Sequence, residues 1–223
     1  MSINIAIDGP SGAGKSTLSR KLAEKLKFIY VDTGALYRTV GLYMLQNGID
    51  PKDAVSVEEA LPDVGVEIRF ISGEQHVFLN GADVSKEIRI HEVSNYASLV
   101  SAIPAVRKFL FETQQKMAAE YDVIMDGRDI GTVVLPNADV KIFLTASAEV
   151  RAERRYKELL ERGQEVSYDQ VLADVNARDE QDTNRPIAPL KPAEDGVIVD
   201  TSECTFDESL ALLYKTVVER LNR

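Results

Sequence analysis

Gly9-Pro-Ser-Gly-Ala-Gly14-Lys15-Ser16-Thr17 is flanked by the apolar run Ile3–Asp8 and the helical pattern Lys15–Leu26. This stretch decides the fold. It fits G-x-x-x-x-G-K-[ST] at every fixed position, in the strand–loop–helix setting that the pattern requires. Glycines let the backbone fold tightly enough for several N–H groups to face one phosphate chain. The helix that follows turns its positive end toward the same anion. Lys15 is expected to reach the β- and γ-phosphates, and the Ser16 hydroxyl to hold Mg²⁺. An ordinary glycine-rich turn is the alternative, and the strand before and helix after weigh against it. ATP with Mg²⁺ is therefore the expected ligand of Gly9, Pro10, Ser11, Gly12, Ala13, Gly14, Lys15, Ser16 and Thr17.

Outward from the loop, strand and helix alternate. Phe28–Asp32 reads as a strand and Ala35–Gln46 as a helix ending at Asn47-Gly48. Short apolar runs at Val123–Asp126, Val140–Leu144 and Val197–Asp200 each follow a helical stretch. That order predicts an α/β fold with a five-stranded parallel sheet covered by helices. Asp8, Asp32, Asp126 and Asp200 close their strands, and ligands of open α/β sheets sit outside the carboxyl ends of strands.

Two regions depart from the alternation. Val66–Ile71 alternates apolar and polar residues; Ser72-Gly73, Val77–Leu79 and Asn80-Gly81 follow it. This predicts a small antiparallel insertion with hairpin turns over about residues 62–90. The polar helices Ala148–Arg162 and Ser167–Thr183, joined at Gly163, predict a helical lid over about 148–185. One domain over 1–223 is expected, with a core at about 1–61, 91–147 and 186–223.

Composition narrows the function. The 223 residues carry a net charge of -10, which argues against a general nucleic-acid or anionic-membrane surface. One cysteine and two histidines exclude an intrachain disulfide and a His/Cys metal cluster. The N-terminus, Met1–Asp8, is too short and polar for a signal peptide, and no apolar run approaches the roughly 20 residues of a membrane span. A cytoplasmic monomer acting on small molecules is expected.

No asparagine is followed by lysine and no D-x-x-G occurs, so a guanine-nucleotide switch is disfavoured. Val123-Ile-Met-Asp126 is followed by glycine rather than by a second acid, unlike an ATP-hydrolysing motor. A small transferase remains. Transfer to a hydroxyl needs a base, whereas transfer to a phosphate needs cations that hold two anions together. Arginines recur in compact sets. Arg178, Asp182 and Arg185 stand at i, i+4, i+7, and Arg151, Arg154 and Arg155 at i, i+3, i+4, each read as one helical face. Arg38 and Arg128 follow strand ends. Singly, such arginines are most often solvated surface; together they suit a phosphate, whose oxygens the guanidinium fork binds in pairs. A kinase of a small hydroxyl metabolite, with Asp32 or Asp129 as base, and a nucleotide-sensing protein without turnover remain as alternatives.

These residues resemble those of the bacterial cytidylate kinases. The loop Gly9–Thr17, Asp32-Thr-Gly-Ala-Leu-Tyr-Arg38 and Asp126-Gly-Arg-Asp-Ile-Gly-Thr-Val-Val-Leu-Pro136 are similar to the three main motifs of that family. Asn95-Tyr-Ala-Ser98, Val106-Arg107, Arg178-Asp-Glu-Gln-Asp182-Thr-Asn-Arg185 and the antiparallel insertion match as well. The resemblance runs from about residue 3 to 200. It implies the nucleoside monophosphate kinase type of fold and transfer of the γ-phosphate of ATP to CMP or dCMP. It further implies that Ser98, Arg107 and Asp129 read cytosine, with Asp129 suiting the exocyclic amine and repelling a uracil carbonyl. Arg178 and Asp182 would contact the ribose, and Arg38, Arg128 and Arg185 the acceptor phosphate. Thr33 stands where related enzymes often carry serine, and belongs to the implied substrate site. Lys15, Arg128, Arg154, Arg155 and Arg185 would act on the transferring group.

Overall fold

The computed structural model describes residues 2–71, 73–161 and 163–222. Its elements run β1 (Asn4–Asp8), α1 (Lys15–Leu26), β2 (Ile29–Asp32), α2 (Thr33–Gln46), α3 (Ala54–Ala60), β3 (Val66–Ile71), β4 (Glu74–Leu79) and β5 (Ala82–Asp83). Then follow α4 (His91–Val100), α5 (Pro104–Glu120), β6 (Val123–Gly127), β7 (Val140–Thr145), α6 (Ala148–Glu161), α7 (Tyr168–Thr183), β8 (Val197–Asp200) and α8 (Phe206–Leu221). The expected five-stranded sheet is present in the order β2-β6-β1-β7-β8. The central strands read as near-continuous apolar runs because both faces of a parallel sheet are covered. Ile5, Ala6 and Ile7 are fully buried, as are Val123, Ile124 and Met125. Parallel register pairs Ile7 with Asp126 and Asp8 with Gly127, so β1 and β6 end level with each other.

The chain divides into two compact units, Met1–Ile29 with Tyr121–Arg223, and Tyr30–Glu120. The first contains the phosphate loop and the helical pair α6 and α7. That pair closes over its own apolar seam of Ala152, Leu159, Val171 and Val175, with Tyr156 and Tyr168 edge to face at 6.1 Å. Gly163 joins the helices at φ +73°. Arg162, the expected last residue of the first lid helix, lies outside the described residues.

The second unit has a core of its own, built from Leu36, Val40, Met44, Val93, Val100 and Leu110 among others. Gly41 lets α2 and α4 touch, since a Cβ there would stand 2.8 Å from the Ala97 nitrogen. The expected antiparallel insertion is the three-stranded sheet β3-β4-β5, with Val66 opposite Leu79 and Ile68 opposite Val77. Asn80 and Gly81, at φ +48° and +84°, make its second turn, as Asn-Gly favours. Of the first turn, Ser72 lies outside the described residues.

Two helix ends bear on the site. Helix α2 starts at Thr33 rather than Ala35, because the Asp32 carboxylate accepts the Ala35 N–H at 3.0 Å and caps it. Helix α7 stops at Thr183, as expected, with Asn184 as its cap; Arg185 lies beyond that end, so the expected helical face shared with Arg178 and Asp182 does not include it. It leaves the helix and folds back onto Asp182 instead, 3.2 Å from its carboxylate. Among the described residues no helix is long and apolar enough to cross a membrane.

Candidate active site

In the unit that holds the phosphate loop, three carboxylates organise the rim. Asp8 ends β1 and is buried; its two oxygens accept the backbone N–H groups of Ile130 at 2.7 Å and Gly131 at 2.8 Å. It therefore pins the turn that follows β6, the turn carrying Arg128 and Asp129. Burial pushes the Asp8 carboxyl up to about 7, with the two N–H donors and Lys15 pulling the other way and Asp129 adding to the rise. Asp126, at the level of Ile7, accepts the Ser16 hydroxyl proton at 2.8 Å. Asp182 on α7 accepts Arg128 Nε at 2.8 Å and lies beside Arg185. Burial would raise its carboxyl, but the guanidiniums of Arg128, Arg185 and Arg178 bring it below the usual range.

Lys15 is buried and donates to the Pro10 carbonyl within the loop at 2.7 Å. Burial and the Arg128 guanidinium hold its ammonium well below the ordinary value, against the pull of Asp126, Asp8 and Asp182. Lys15, Arg128 and three acids thus share one charge cluster. Gly9 lets the loop leave β1, since at φ +151° its Cβ would fall 2.0 Å from the Leu144 carbonyl oxygen.

The arginines of α6 do not act as one face. Arg151 is buried rather than solvated and is bonded to the Ser11 carbonyl of the loop at 3.0 Å. Arg154 donates to the Thr201 carbonyl at 3.0 Å and passes within 4.0 Å of where a Gly14 Cβ would stand. Arg155 is half-exposed and pairs along the helix with Glu158 at 2.8 Å. One set of spacings serves three destinations, because i, i+3 and i+4 span a wide arc of the helix.

The second unit places its own candidates together. Arg38 pairs with Asp32 at 2.7 Å, beside the buried Thr33. The Arg107 guanidinium lies 5.7 Å from the Tyr37 ring centre and donates to the Ser101 carbonyl at 3.3 Å. Ser98 is half-buried on α4, and its carbonyl accepts the Ser101 hydroxyl proton. Gln75 on β4 accepts the Asp32 N–H at 2.8 Å and donates to the Asp32 carbonyl at 3.3 Å.

The family model of cytidylate kinase matches residues 5–219. The chain belongs to the cytidylate kinase family. A cytidylate kinase of Caldicellulosiruptor bescii is 51% identical over 219 residues, covering 96% of this chain and 97% of the relative. One from Pasteurella multocida is 46% identical, covering 99% and 97%. Solved structures share the fold at much lower identity. An uncharacterized protein from Eubacterium ventriosum gives a TM-score of 0.54 at 13% identity, covering 99% of each chain. Shikimate kinase from Bacteroides thetaiotaomicron gives 0.50 at 13%, again covering 99% of each. These two speak to the fold alone.

Within this cytidylate kinase family member, sequence reasoning left several residues without a site role. Asp8 and Asp126 were legible only as acids at strand ends. Arg151 was legible only as one member of an arginine set, and Asp179 and Gln75 carried no local signal, because each acts on a residue far away in the chain.

Proposed function

We propose that the chain transfers the γ-phosphate of ATP to CMP or dCMP, giving ADP and CDP or dCDP. The observation that carries this reading is the Arg128–Asp182–Arg185 cluster beside Lys15, in a chain of the cytidylate kinase family. An acceptor phosphate already carries a nucleophilic anionic oxygen, so the reaction needs cations and alignment rather than a base. A hydroxyl kinase would need a free carboxylate. Asp32, one of the two candidates, has one oxygen on Arg38 and the other on the Ala35 N–H.

The loop Gly9–Thr17 cradles the triphosphate, and Lys15 neutralises its outer phosphates. The Ser16 hydroxyl and the Asp126 carboxylate, 2.8 Å apart, are the hard oxygens that suit Mg²⁺, an ion that keeps several waters and takes few protein ligands. Held there, Mg²⁺ would supply charge neutralisation for the transferring phosphate. Arg128 and Arg185, held ready by Asp182, grip the acceptor phosphate, a role the family resemblance extends to Arg38, which Asp32 orients. Arg178 and Asp182 take the ribose, and Thr33 completes the substrate contacts. Ser98, Arg107 and Asp129 read the cytosine, the carboxylate accepting from the exocyclic amine. Arg154 and Arg155 act on the transferring group. Closure of the 148–185 lid and the 62–90 insertion excludes water that would otherwise accept the phosphate. The enzyme works as a cytoplasmic monomer on free nucleotides.

The test is a panel of nucleoside monophosphates and small alcohols with ATP and Mg²⁺, scored for ADP release. CMP and dCMP should be turned over fastest. Turnover of an alcohol with none of CMP would end the proposal.

A further inference from the structure

Arg151 is 5% exposed, yet it makes four hydrogen bonds from one side chain. Nε donates to the Ala146 carbonyl at 2.8 Å, at the turn from β7 into α6. Nη1 donates to the Ser11 carbonyl at 3.0 Å, inside the phosphate loop. Nη1 and Nη2 grip the two oxygens of Asp179 on α7 at 3.0 and 2.5 Å. The loop closes against it: a Cβ on Gly12 would stand 3.1 Å from Arg151 Cβ.

Asp179 lies three residues before Asp182, hence on the same side of α7 one turn away. Asp182 in turn holds Arg128 at 2.8 Å and Arg185 at 3.2 Å. Charge-assisted hydrogen bonds therefore link the Ser11 carbonyl through Arg151 to Asp179, and the last turn of α7 joins Asp179 to Asp182 and the two arginines it holds. A planar guanidinium suits this junction because its donors point in fixed directions; an ammonium cannot serve two carboxylate oxygens and two carbonyls in one plane. The Ser11 carbonyl, fixed by Arg151, also keeps its peptide from rotating, and so sets which way the next N–H of the loop faces.

We infer that the Arg151–Asp179 pair is a positioning unit for phosphoryl transfer, setting the donor loop in register with Arg128 and Arg185. Neither residue touches substrate in this account. The inference rests on the phosphotransferase reading above. Its expected signature is a loss in kcat larger than any loss in affinity, because a misaligned pair of bound substrates still binds. A displacement of about 1 Å at the reacting atoms lowers transfer by up to roughly a hundredfold.

The deciding variant is the double replacement Arg151→Met with Asp179→Leu. Removing both charges of a buried pair is often neutral for stability, whereas removing one is not. A purely structural pair would thus be replaced without loss of rate. For positioning, the folded double variant should show kcat lower by about tenfold to a hundredfold. Its dissociation constants for CMP and for ATP should stay within about threefold, read by calorimetry. Arg151→Lys, which keeps the charge and loses the fork, should show the same split and decides the matter if the double variant does not fold. A folded variant with kcat within about twofold of the parent would overturn the inference, as would a loss confined to binding. Parent protein that releases no ADP from ATP and CMP would instead sink the underlying reading, so the two failures are distinct.

Discussion

The Ser16 hydroxyl donates to the Asp126 carboxylate at 2.8 Å, tying the first turn of the helix after the phosphate loop to the end of the neighbouring strand β6. Neither residue is close to the other in sequence. Both offer hard oxygen, and parallel register brings Asp126 level with Ile7, one residue before Asp8.

That pair predicts a magnesium phenotype. Asp126→Ala should lower CMP-dependent ADP formation by about a hundredfold or more, because metal stabilisation of transferring phosphate is worth several kcal/mol. The magnesium concentration for half-maximal rate should rise as well. A magnesium titration in a coupled assay checks both, and an unaltered requirement for the ion would disprove the assignment.

Asp8 predicts a pH dependence. Its carboxyl is raised from 3.8 to about 7 in the fold, so between those values the folded chain holds a proton that the unfolded chain has released. Its contribution to stability is therefore full below about 3.8 and declines as pH rises toward 7, by up to about 1.4 kcal/mol for each pH unit crossed. Lys15, whose ammonium is held low, slopes the other way. The readout is accordingly the difference between parent and Asp8→Asn, which carries the Asp8 titration together with its coupling to Lys15. The parent's advantage in urea midpoint should shrink from pH 5 to pH 8. A constant difference across that range would contradict the burial argument.

Asp182 is compensated by three guanidiniums. Asp182→Asn keeps the shape and removes the charge that Arg128 and Arg185 both face. Unfolding free energy should fall by about 3 kcal/mol, measured by urea denaturation at neutral pH. The CMP KM should rise too, since the same two arginines are the proposed phosphate grip. A variant as stable as the parent would show that solvent screens this cluster after all.

Gln75 clasps the backbone of Asp32 through the oxygen and the nitrogen of its side-chain amide, at 2.8 and 3.3 Å, and the Asp32 side chain orients Arg38. Gln75→Ala removes two hydrogen bonds worth about 1 kcal/mol each. The KM for CMP should rise by roughly tenfold, with the KM for ATP nearly unchanged. Steady-state kinetics with each substrate varied in turn would settle it, and equal rises in both would point to general loosening.

Much of this molecule is written locally. The phosphate loop is contiguous, and its glycines, lysine and serine are fixed by spacing alone. Apolar runs such as Ile5–Ile7 and Val123–Met125 announce parallel strands, because burial on both faces demands unbroken hydrophobicity. Val66–Ile71 and Asn80-Gly81 announce the antiparallel insertion by period and by turn chemistry. Spacing was misleading where it was carried past the end of a helix, as at Arg185, and where neighbours on one helix served different partners, as at Arg151, Arg154 and Arg155.

The sequence by itself therefore determined the fold class, the donor loop and the surplus of arginine suited to a phosphate acceptor. Only the tertiary structure decided which acid meets which cation. Asp8 with Ile130 and Gly131, Ser16 with Asp126, Arg128 with Asp182 and Arg151 with Ser11 and Asp179 are all separated by many residues along the chain. Local patterns record what a residue does to its own turn or strand. A buried charge is stabilised by whatever partner the packed chain brings within about 3 Å, and that choice is made by strand order and register rather than by neighbours in sequence.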